Sequence, residues 1–205
     1  MIQAIVFDYG NVISEPQDTG CYGRMGALSG LSEEFFRKSF WKYRPDFDRG
    51  TLRGVEMYKR VLTDDGFAGS EAEITELAGR LLDEDVLSWR RVSGPVTEWG
   101  LSLQKQGYRL GILSNMPFDF LERYEPAIEL FAKADIAVFS CNVRQIKPEP
   151  AIYRTLIEQC ACKPEEIVFF DDIQANVDGA VRAGIKAFLW TGLERAQRDW
   201  QAALQ

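Results

Sequence analysis

The chain has 205 residues, 46% of them hydrophobic and 27% charged, with a formal net charge of −7. This composition is typical of a globular protein with a substantial buried core. The acidic balance argues against a surface for nucleic acid or anionic membranes. No apolar stretch approaches the roughly 20 residues of a membrane span, and the amino terminus leads into a strand without a basic flank or cleavage signal. We therefore expect a cytoplasmic monomer or homodimer that binds neither nucleic acid nor membrane.

The sequence contains no histidine and four cysteines. Without histidine, a Ser-His-Asp or Cys-His catalytic arrangement is excluded. The cysteines lack the paired spacing of a zinc site. Any catalysis by this chain must therefore use carboxylates, lysine, hydroxyl groups or a metal ion.

The first part of the chain predicts one strand followed by helices. Residues 2–7 are mostly apolar, as in a strand buried on both faces of a parallel sheet. A helix is expected from Ser32 to about Tyr43 with Pro45 as its end, a second from about Arg53 to Leu62, and a third that follows the capping box of Ser70 and Glu73 and reaches about Trp89. Residues 14–93 therefore form a predicted helical cap domain, and residues 1–13 and 94–205 form the catalytic core.

From Pro95 onward, helices and strands alternate. The first helix of this part ends near Gly107. Strands are predicted at Arg109–Leu113, Ile136–Phe139, Ile167–Phe170 and Lys186–Trp190, and helices at Phe118–Tyr124, Glu149–Cys160, Gln174–Ala183 and Leu193–Leu204. This alternation predicts an α/β fold with a doubly wound, Rossmann-like parallel sheet.

Polar residues follow four of the predicted strands. They are Asp8, Ser114-Asn115, Lys147-Pro148 in the loop after the third strand, and Asp171-Asp172. In an open α/β sheet, the carboxyl ends of parallel strands lie along one edge. These side chains are therefore expected to converge there.

Such a set of residues is suited to phosphoryl transfer. A carboxylate such as Asp8 can attack phosphorus only if a divalent cation reduces the repulsion between the two anions. Asp8 and Asp172 offer the oxygen ligands that Mg²⁺ prefers, and Gly10 offers a backbone carbonyl. Ser114 and the backbone N–H of Asn115 can donate to phosphoryl oxygens. A lysine in the adjacent loop can neutralise the developing charge.

Four ordered motifs resemble those of the haloacid dehalogenase-like superfamily. They are Phe7-Asp8-Tyr9-Gly10-Asn11-Val12, Leu113-Ser114-Asn115, Lys147-Pro148, and Phe170-Asp171-Asp172 through Asn176. The resemblance implies Asp8 as nucleophile and Mg²⁺ ligand, Asp172 as second ligand, and Ser114, Asn115 and Lys147 as the phosphate-binding residues. It also implies Asn11, Asp171 and Asn176 as supporting residues that orient ligand or metal-bound water.

Position 10 departs from the family pattern, which usually has a second aspartate there as general acid and base. Gly10 leaves the first motif without a proton donor for the leaving oxygen. The Asp-x-Gly-Asn-Val form is similar to a branch that includes bacterial α-glucose-1-phosphate phosphatases, so a sugar phosphate is the expected substrate. The alternatives are a metal-independent 2-haloacid dehalogenase and a sugar-phosphate-binding protein with weakened catalysis.

The predicted cap is locally basic between residues 35 and 60. This pattern suggests that Arg44 or Arg49 faces the mouth of the site and attracts an anionic substrate. Trp41, Tyr43 and Trp89 are interpreted as aromatic residues that pack between helices.

Overall fold

The structure, a computed structural model, describes residues 1–64 and 66–205, and for residue 35 the backbone only. In this part of the chain, five strands form one parallel sheet in the order β3-β2-β1-β4-β5. The strands are β1 (Ala4–Phe7), β2 (Arg109–Ser114), β3 (Ile136–Phe139), β4 (Ile167–Asp171) and β5 (Lys186–Leu189). The predicted parallel α/β sheet is confirmed.

Helices cover both faces of the sheet because successive strand residues point to opposite sides. Ile5 and Phe7 of β1 pack in the larger apolar cluster, whereas Ala4 and Val6 pack in the second cluster on the other side. The helices from residue 94 onward are α5 (Gly94–Lys105), α6 (Phe118–Tyr124), α7 (Glu129–Lys133), α8 (Ser140–Val143), α9 (Pro150–Cys160), α10 (Gln174–Arg182) and α11 (Leu193–Ala203).

Within residues 1–64 and 66–205, four further α-helices lie between β1 and α5. They are α1 (Gly20–Ser29), α2 (Glu33–Asp48), α3 (Gly54–Asp64) and α4 (Glu71–Ser88). The two chain segments that connect them to the sheet run side by side, with an antiparallel bridge between Ser14 and Val92. We refer to α1–α4 as the helical insertion.

The helical insertion differs from the sequence prediction at two places. The prediction that Pro45 ends its helix is wrong, because α2 continues to Asp48. A proline inside a helix removes one backbone hydrogen bond, but the last turn places Phe47 fully in the apolar core, which favours its continuation. The other difference is α1, which lies in a stretch rich in small and polar residues without a predicted helix. By contrast, the predicted capping box of Ser70 and Glu73 at the start of α4 is confirmed.

Candidate active site

The polar residues that follow the strands converge on one cavity of about 550 Å³ between the sheet edge and the helical insertion. Strand ends, the segments that follow them and the start of α10 contribute eight of the predicted site residues to its lining: Asp8, Gly10, Asn11, Ser114, Asn115, Lys147, Asp172 and Asn176. The ninth, Asp171, is fully buried behind them. The parallel register produces this convergence, since the motif-bearing strands end at the same edge.

Asp8 is the buried carboxylate at the end of β1, with a relative exposure of 6%. Its Oδ1 accepts a 2.6 Å hydrogen bond from the backbone N–H of Tyr9 and lies 2.9 Å from Nζ of Lys147. Burial raises the pKa of Asp8 to about 7, against the opposing effect of the Lys147 charge. Chemical reactivity of this carboxylate therefore depends on a nearby positive charge that keeps it ionised.

Lys147 is the buried cation of the site. Its ammonium group lies 2.6 Å from Oδ2 of Asp171 and 2.9 Å from Oδ1 of Asp8, and it donates a 3.0 Å hydrogen bond to the carbonyl of Leu113. Burial lowers the pKa of Lys147, but the adjacent carboxylates outweigh that effect, and its pKa is raised overall. The lysine is thus a fixed positive charge between the first and fourth motifs.

The two adjacent carboxylates of the fourth motif have different surroundings. Asp171 has its oxygens occupied by Lys147, the backbone N–H of Ile173 and the side-chain amide of Asn176. Asp172 is half-buried, and its Oδ2 accepts a 2.8 Å hydrogen bond from Asn11. Asp172 therefore retains oxygen lone pairs for a ligand, whereas Asp171 orients the groups around it.

Oxygen atoms of Asp8, Asp171 and Asp172 all lie within 4.8 Å of one another. Burial raises the pKa of both Asp8 and Asp172, and nearby carboxylates raise each pKa further. Lys147 supplies a single positive charge to this acidic cluster. A cluster of oxygen ligands with excess negative charge fits a hard divalent cation such as Mg²⁺.

Asn115 connects the second and third motifs. Its side-chain Nδ2 donates to the carbonyl of Lys147 at 3.0 Å, and its Oδ1 accepts from the Lys147 N–H at 2.8 Å. The amide side chain is therefore engaged in positioning the lysine backbone. Ser114 is buried at the end of β2 and borders the cavity.

Gly10 lies against the indole ring of Trp89, the residue that directly follows α4. A Cβ atom at position 10 would lie 3.3 Å from Cζ3 of that ring. Because this separation is tighter than ordinary van der Waals contact, an aspartate at position 10 would require the indole to shift. The space beside the first motif is thus occupied by an aromatic ring, which also lines the cavity.

The helical insertion contributes Arg44, Asp48 and Asp85 to the lining of the cavity. Arg44 Nε lies 2.8 Å from Asp48 Oδ1, and Arg44 Nη1 lies 3.6 Å from Asp85 Oδ1. Two carboxylates thus share one guanidinium, and this trio has excess negative charge. Of the two arginines predicted to face the site, Arg44 lines the cavity, whereas Arg49 pairs with Glu149 at 2.7 Å. Attraction of an anionic substrate by Arg44 stays a prediction, and its guanidinium is already paired with two carboxylates.

Sequence reasoning did not identify Asp48 and Asp85 as residues of the site. Both belong to helices that carry no motif, and helical periodicity does not show which cavity a polar side chain faces. A buried acidic side chain close to an arginine would have been the signal, but burial of Asp48 depends on how α2 lies against the sheet. Trp41, interpreted as a packing residue, is 58% exposed and lies at the cavity mouth.

Comparisons with known proteins extend these observations. The model of the haloacid dehalogenase-like hydrolase family matches residues 2–184. Mouse bifunctional epoxide hydrolase 2 is 24% identical over 217 residues, which include 97% of this chain and 38% of that protein. The chain therefore spans well under half the length of this relative. A phosphorylated carbohydrates phosphatase from Thermotoga maritima is 34% identical over 71 residues, covering 35% of this chain and 32% of that protein.

Two solved structures share the fold. A HAD family enzyme from Bacteroides thetaiotaomicron, in complex with magnesium and inorganic phosphate, has a TM-score of 0.72 and 18% identity, covering 92% of this chain and 94% of that chain. A 2-haloacid dehalogenase from Pseudomonas syringae has a TM-score of 0.66 and 18% identity, covering 93% of this chain and 86% of that chain. At these identities, the likeness concerns the fold.

Proposed function

Because the chain belongs to the haloacid dehalogenase-like hydrolases, we propose that it is a Mg²⁺-dependent phosphatase that hydrolyses a small phosphomonoester through an aspartyl-phosphate on Asp8. One observation carries this proposal: the carboxylate oxygens of Asp8, Asp171 and Asp172 lie within 4.8 Å of one another, beside a buried lysine, at the wall of a cavity of about 550 Å³. Carboxylates, a cation and a bordering cavity are the components that phosphoryl transfer requires.

In the proposed site, Asp8 and Asp172 would hold Mg²⁺, and the carbonyl of Gly10 would be a further ligand. A bound cation would offset the negative charge of the carboxylates and of the phosphoryl oxygens. Asp171, Asn11 and Asn176 support this set, since Asn11 binds Asp172 and Asn176 binds Asp171.

Asp8 is the proposed nucleophile. Its carboxylate attacks phosphorus and forms an acyl phosphate, which water then hydrolyses to regenerate Asp8. Lys147 keeps Asp8 ionised and offsets charge on the phosphoryl group, and the Ser114 hydroxyl and the Asn115 N–H donate to the phosphoryl oxygens. The hydrogen bonds of the Asn115 side chain hold the lysine-bearing loop in place for this role.

A sugar phosphate is the proposed substrate. The relative from Thermotoga maritima carries the name phosphorylated carbohydrates phosphatase, and the first motif resembles that of phosphatases of α-glucose 1-phosphate. The cavity offers both apolar surfaces, such as Trp89, and the carboxylates of Asp48 and Asp85 as acceptors for hydroxyl groups. A neutral polyol fits this wall better than a second anionic group would.

We also propose that the chain is divided into a cap and a catalytic core. Residues 14–93 act as the cap over the site, and residues 1–13 and 94–205 form the catalytic core. Within residues 1–64 and 66–205, no helix has the length and apolar character needed to cross a lipid bilayer. We propose a cytoplasmic monomer or homodimer whose partner is a small phosphorylated metabolite, without nucleic acid or membrane as partner.

A phosphatase screen tests this function. Phosphate release from a panel of sugar phosphates is measured with Mg²⁺ and with a chelator, for the wild-type chain, for Asp8→Asn and for the control Asp178→Asn, whose carboxylate is exposed on α10. We expect release that requires Mg²⁺, is abolished by Asp8→Asn and persists in the control. Absence of metal-dependent release from every substrate would refute the proposal, and chloride release from chloroacetate in chelator would support the dehalogenase alternative.

A further inference from the structure

The proposed reaction leaves one chemical requirement unmet by the first motif. A sugar alkoxide is a poor leaving group, and a proton donor at the bridging oxygen is worth 10² to 10⁴ in rate for such a step. Gly10 has no side chain, and the Trp89 indole lies 3.3 Å from the position of a Cβ there. A side-chain donor would therefore have to come from another part of the cavity lining.

Four acidic side chains line the cavity in the described part of the chain: Asp8, Asp48, Asp85 and Asp172. Asp8 and Asp172 belong to the proposed nucleophile and metal site. The other two, Asp48 and Asp85, come from the helical insertion. They are the carboxyl groups available to the leaving group.

Three consecutive residues at the end of α2 bind α8 and the segment between α8 and α9. The carbonyl of Asp48 accepts from Oγ of Ser140, which also accepts from the N–H of Met116 in the loop after Ser114. Arg49 forms two hydrogen bonds with Glu149, at 2.8 and 2.7 Å.

The third of these residues is Gly50, whose carbonyl accepts from the Arg144 guanidinium. A Cβ at Gly50 would lie 2.7 Å from the Phe118 ring, so the close approach of the two segments requires glycine. Together, these contacts fix the Asp48 backbone beside the loop that carries the phosphate-binding residues.

One of the two carboxylate oxygens of Asp48 is bound by Arg44. Arg44 donates to Oδ1 at 2.8 Å and is itself positioned between the rings of Phe40 and Phe47. Within the described residues, Asp48 Oδ2 has no hydrogen-bond partner. This oxygen is thus available to a molecule in the cavity.

The surrounding charges favour a protonated carboxyl in this trio. Arg44 is shared between Asp48 and Asp85, and in the part of the chain that the structure describes, Asp85 Oδ1 is buried without a hydrogen-bond partner. Burial raises the pKa of Asp48, whereas Arg44 and then, more weakly, Lys147 act in the opposite direction. Other titratable groups act on this trio from the neighbouring helices: Cys21 and Tyr22 of α1, Tyr58 of α3, Asp119 of α6 and Cys141 of α8. One cation for two buried carboxylates lets one of them retain a proton.

We propose that Asp48 is the general acid and base that position 10 lacks. This inference rests on the proposed phosphatase function. As Asp8 Oδ bonds to phosphorus and the bridging P–O bond breaks, the Asp48 carboxyl transfers its proton to the departing sugar oxygen. The resulting carboxylate then accepts a proton from the water whose oxygen attacks the acyl phosphate, so that Asp8 leaves as carboxylate and Asp48 is protonated again. Arg44 and Asp85 act as positioning residues for it.

The test compares two leaving groups in the first turnover. Rapid-quench experiments with Mg²⁺ follow the release of sugar from the sugar phosphate that is hydrolysed fastest, and of nitrophenolate from p-nitrophenyl phosphate. The proteins compared are wild type, Asp48→Asn and the control Asp46→Asn, which alters an exposed carboxylate in the same turn of α2. Nitrophenolate departs without protonation. We expect Asp48→Asn to slow sugar release by about 100-fold or more and nitrophenolate release by less than about 5-fold, because only the sugar oxygen needs the proton.

Two results for Asp48→Asn would overturn the inference. Equal slowing of sugar and nitrophenolate release would indicate altered packing or metal binding, and unchanged sugar release would show that Asp48 donates no proton. The wild-type chain provides a second measurement that does not depend on how the variant folds. The ratio of first-turnover rates for sugar and nitrophenolate should fall as pH rises and Asp48 ionises, and a pH-independent ratio would overturn the inference. If the wild-type chain released neither product, the proposed function itself would fail, whereas wild-type turnover with unchanged Asp48→Asn rates would refute this inference alone.

Discussion

Replacement of Lys147 by methionine tests whether the buried lysine stabilises the acidic site. Methionine keeps an apolar side chain of similar length but removes an ammonium that lies 2.6 Å from Asp171 and 2.9 Å from Asp8. Both carboxylates are buried, at 0% and 6% exposure. Loss of one partner from a buried ion pair typically costs about 3–5 kcal/mol, which corresponds to a fall in Tm of roughly 6–20 °C for a chain of this size.

Two measurements check this prediction. Urea unfolding in chelator gives the free energy of unfolding of Lys147→Met and of the control Lys105→Met, an exposed lysine at the end of α5. Addition of Mg²⁺ should then stabilise the Lys147 variant through preferential binding to the folded state. A loss of less than about 1 kcal/mol in chelator, similar to that of a typical surface substitution, would refute the view that this lysine holds the carboxylates together.

Two further substitutions probe the loops around the site. Gly10→Asp should lower the free energy of unfolding by about 1–3 kcal/mol, because its Cβ would crowd the Trp89 ring. Urea denaturation of Gly10→Asp, Trp89→Ala and the double variant checks this: the double variant should lose less stability than the two single variants together. Simple additivity of the two losses would contradict the steric explanation. Asn115→Ala should lower the free energy of unfolding by about 1–3 kcal/mol and reduce kcat for phosphate release, because the peptide N–H and carbonyl of Lys147 lose their partners. Thermal unfolding measures the first effect and steady-state kinetics the second. An unchanged kcat would contradict the role of Asn115 in positioning Lys147.

The sequence predicted those elements whose local pattern and tertiary environment agree. The bounds of Phe118–Tyr124 and Ile136–Phe139 match the structure, since each is a short apolar or amphipathic run between turn residues. The convergence of Asp8, Ser114 and Lys147 was also predictable, because parallel strands bring their carboxyl ends to one edge. This part of the site depends on topology, and alternation of strands and helices in the sequence indicates the topology.

The helical insertion was less predictable because its shape depends on packing. The intrinsic tendency of Pro45 to end a helix is overridden by burial of Phe47 two residues later. Helix α1 has little amphipathic pattern, yet it buries Cys21 and Met25 against its neighbours. The cavity side of α2 could not be assigned either, and the basic composition of this region suggested attraction of anions where the structure instead places a carboxylate-rich wall.

The position of a catalytic carboxyl on α2 would explain how the first motif can contain glycine at position 10. A carboxyl group at position 10 would lie beside the nucleophile whatever the position of the helical insertion. Asp48, by contrast, lines the cavity only while the end of α2 contacts Ser140 and Glu149. Its hydrogen bonds to the sheet are made by backbone and by a neighbouring side chain, so the carboxyl itself remains available for proton transfer. In this arrangement, proton donation to the leaving group depends on contact between the helical insertion and the sheet. Hydrolysis would thus be restricted to the closed cavity, in which other acceptors are excluded from the acyl phosphate.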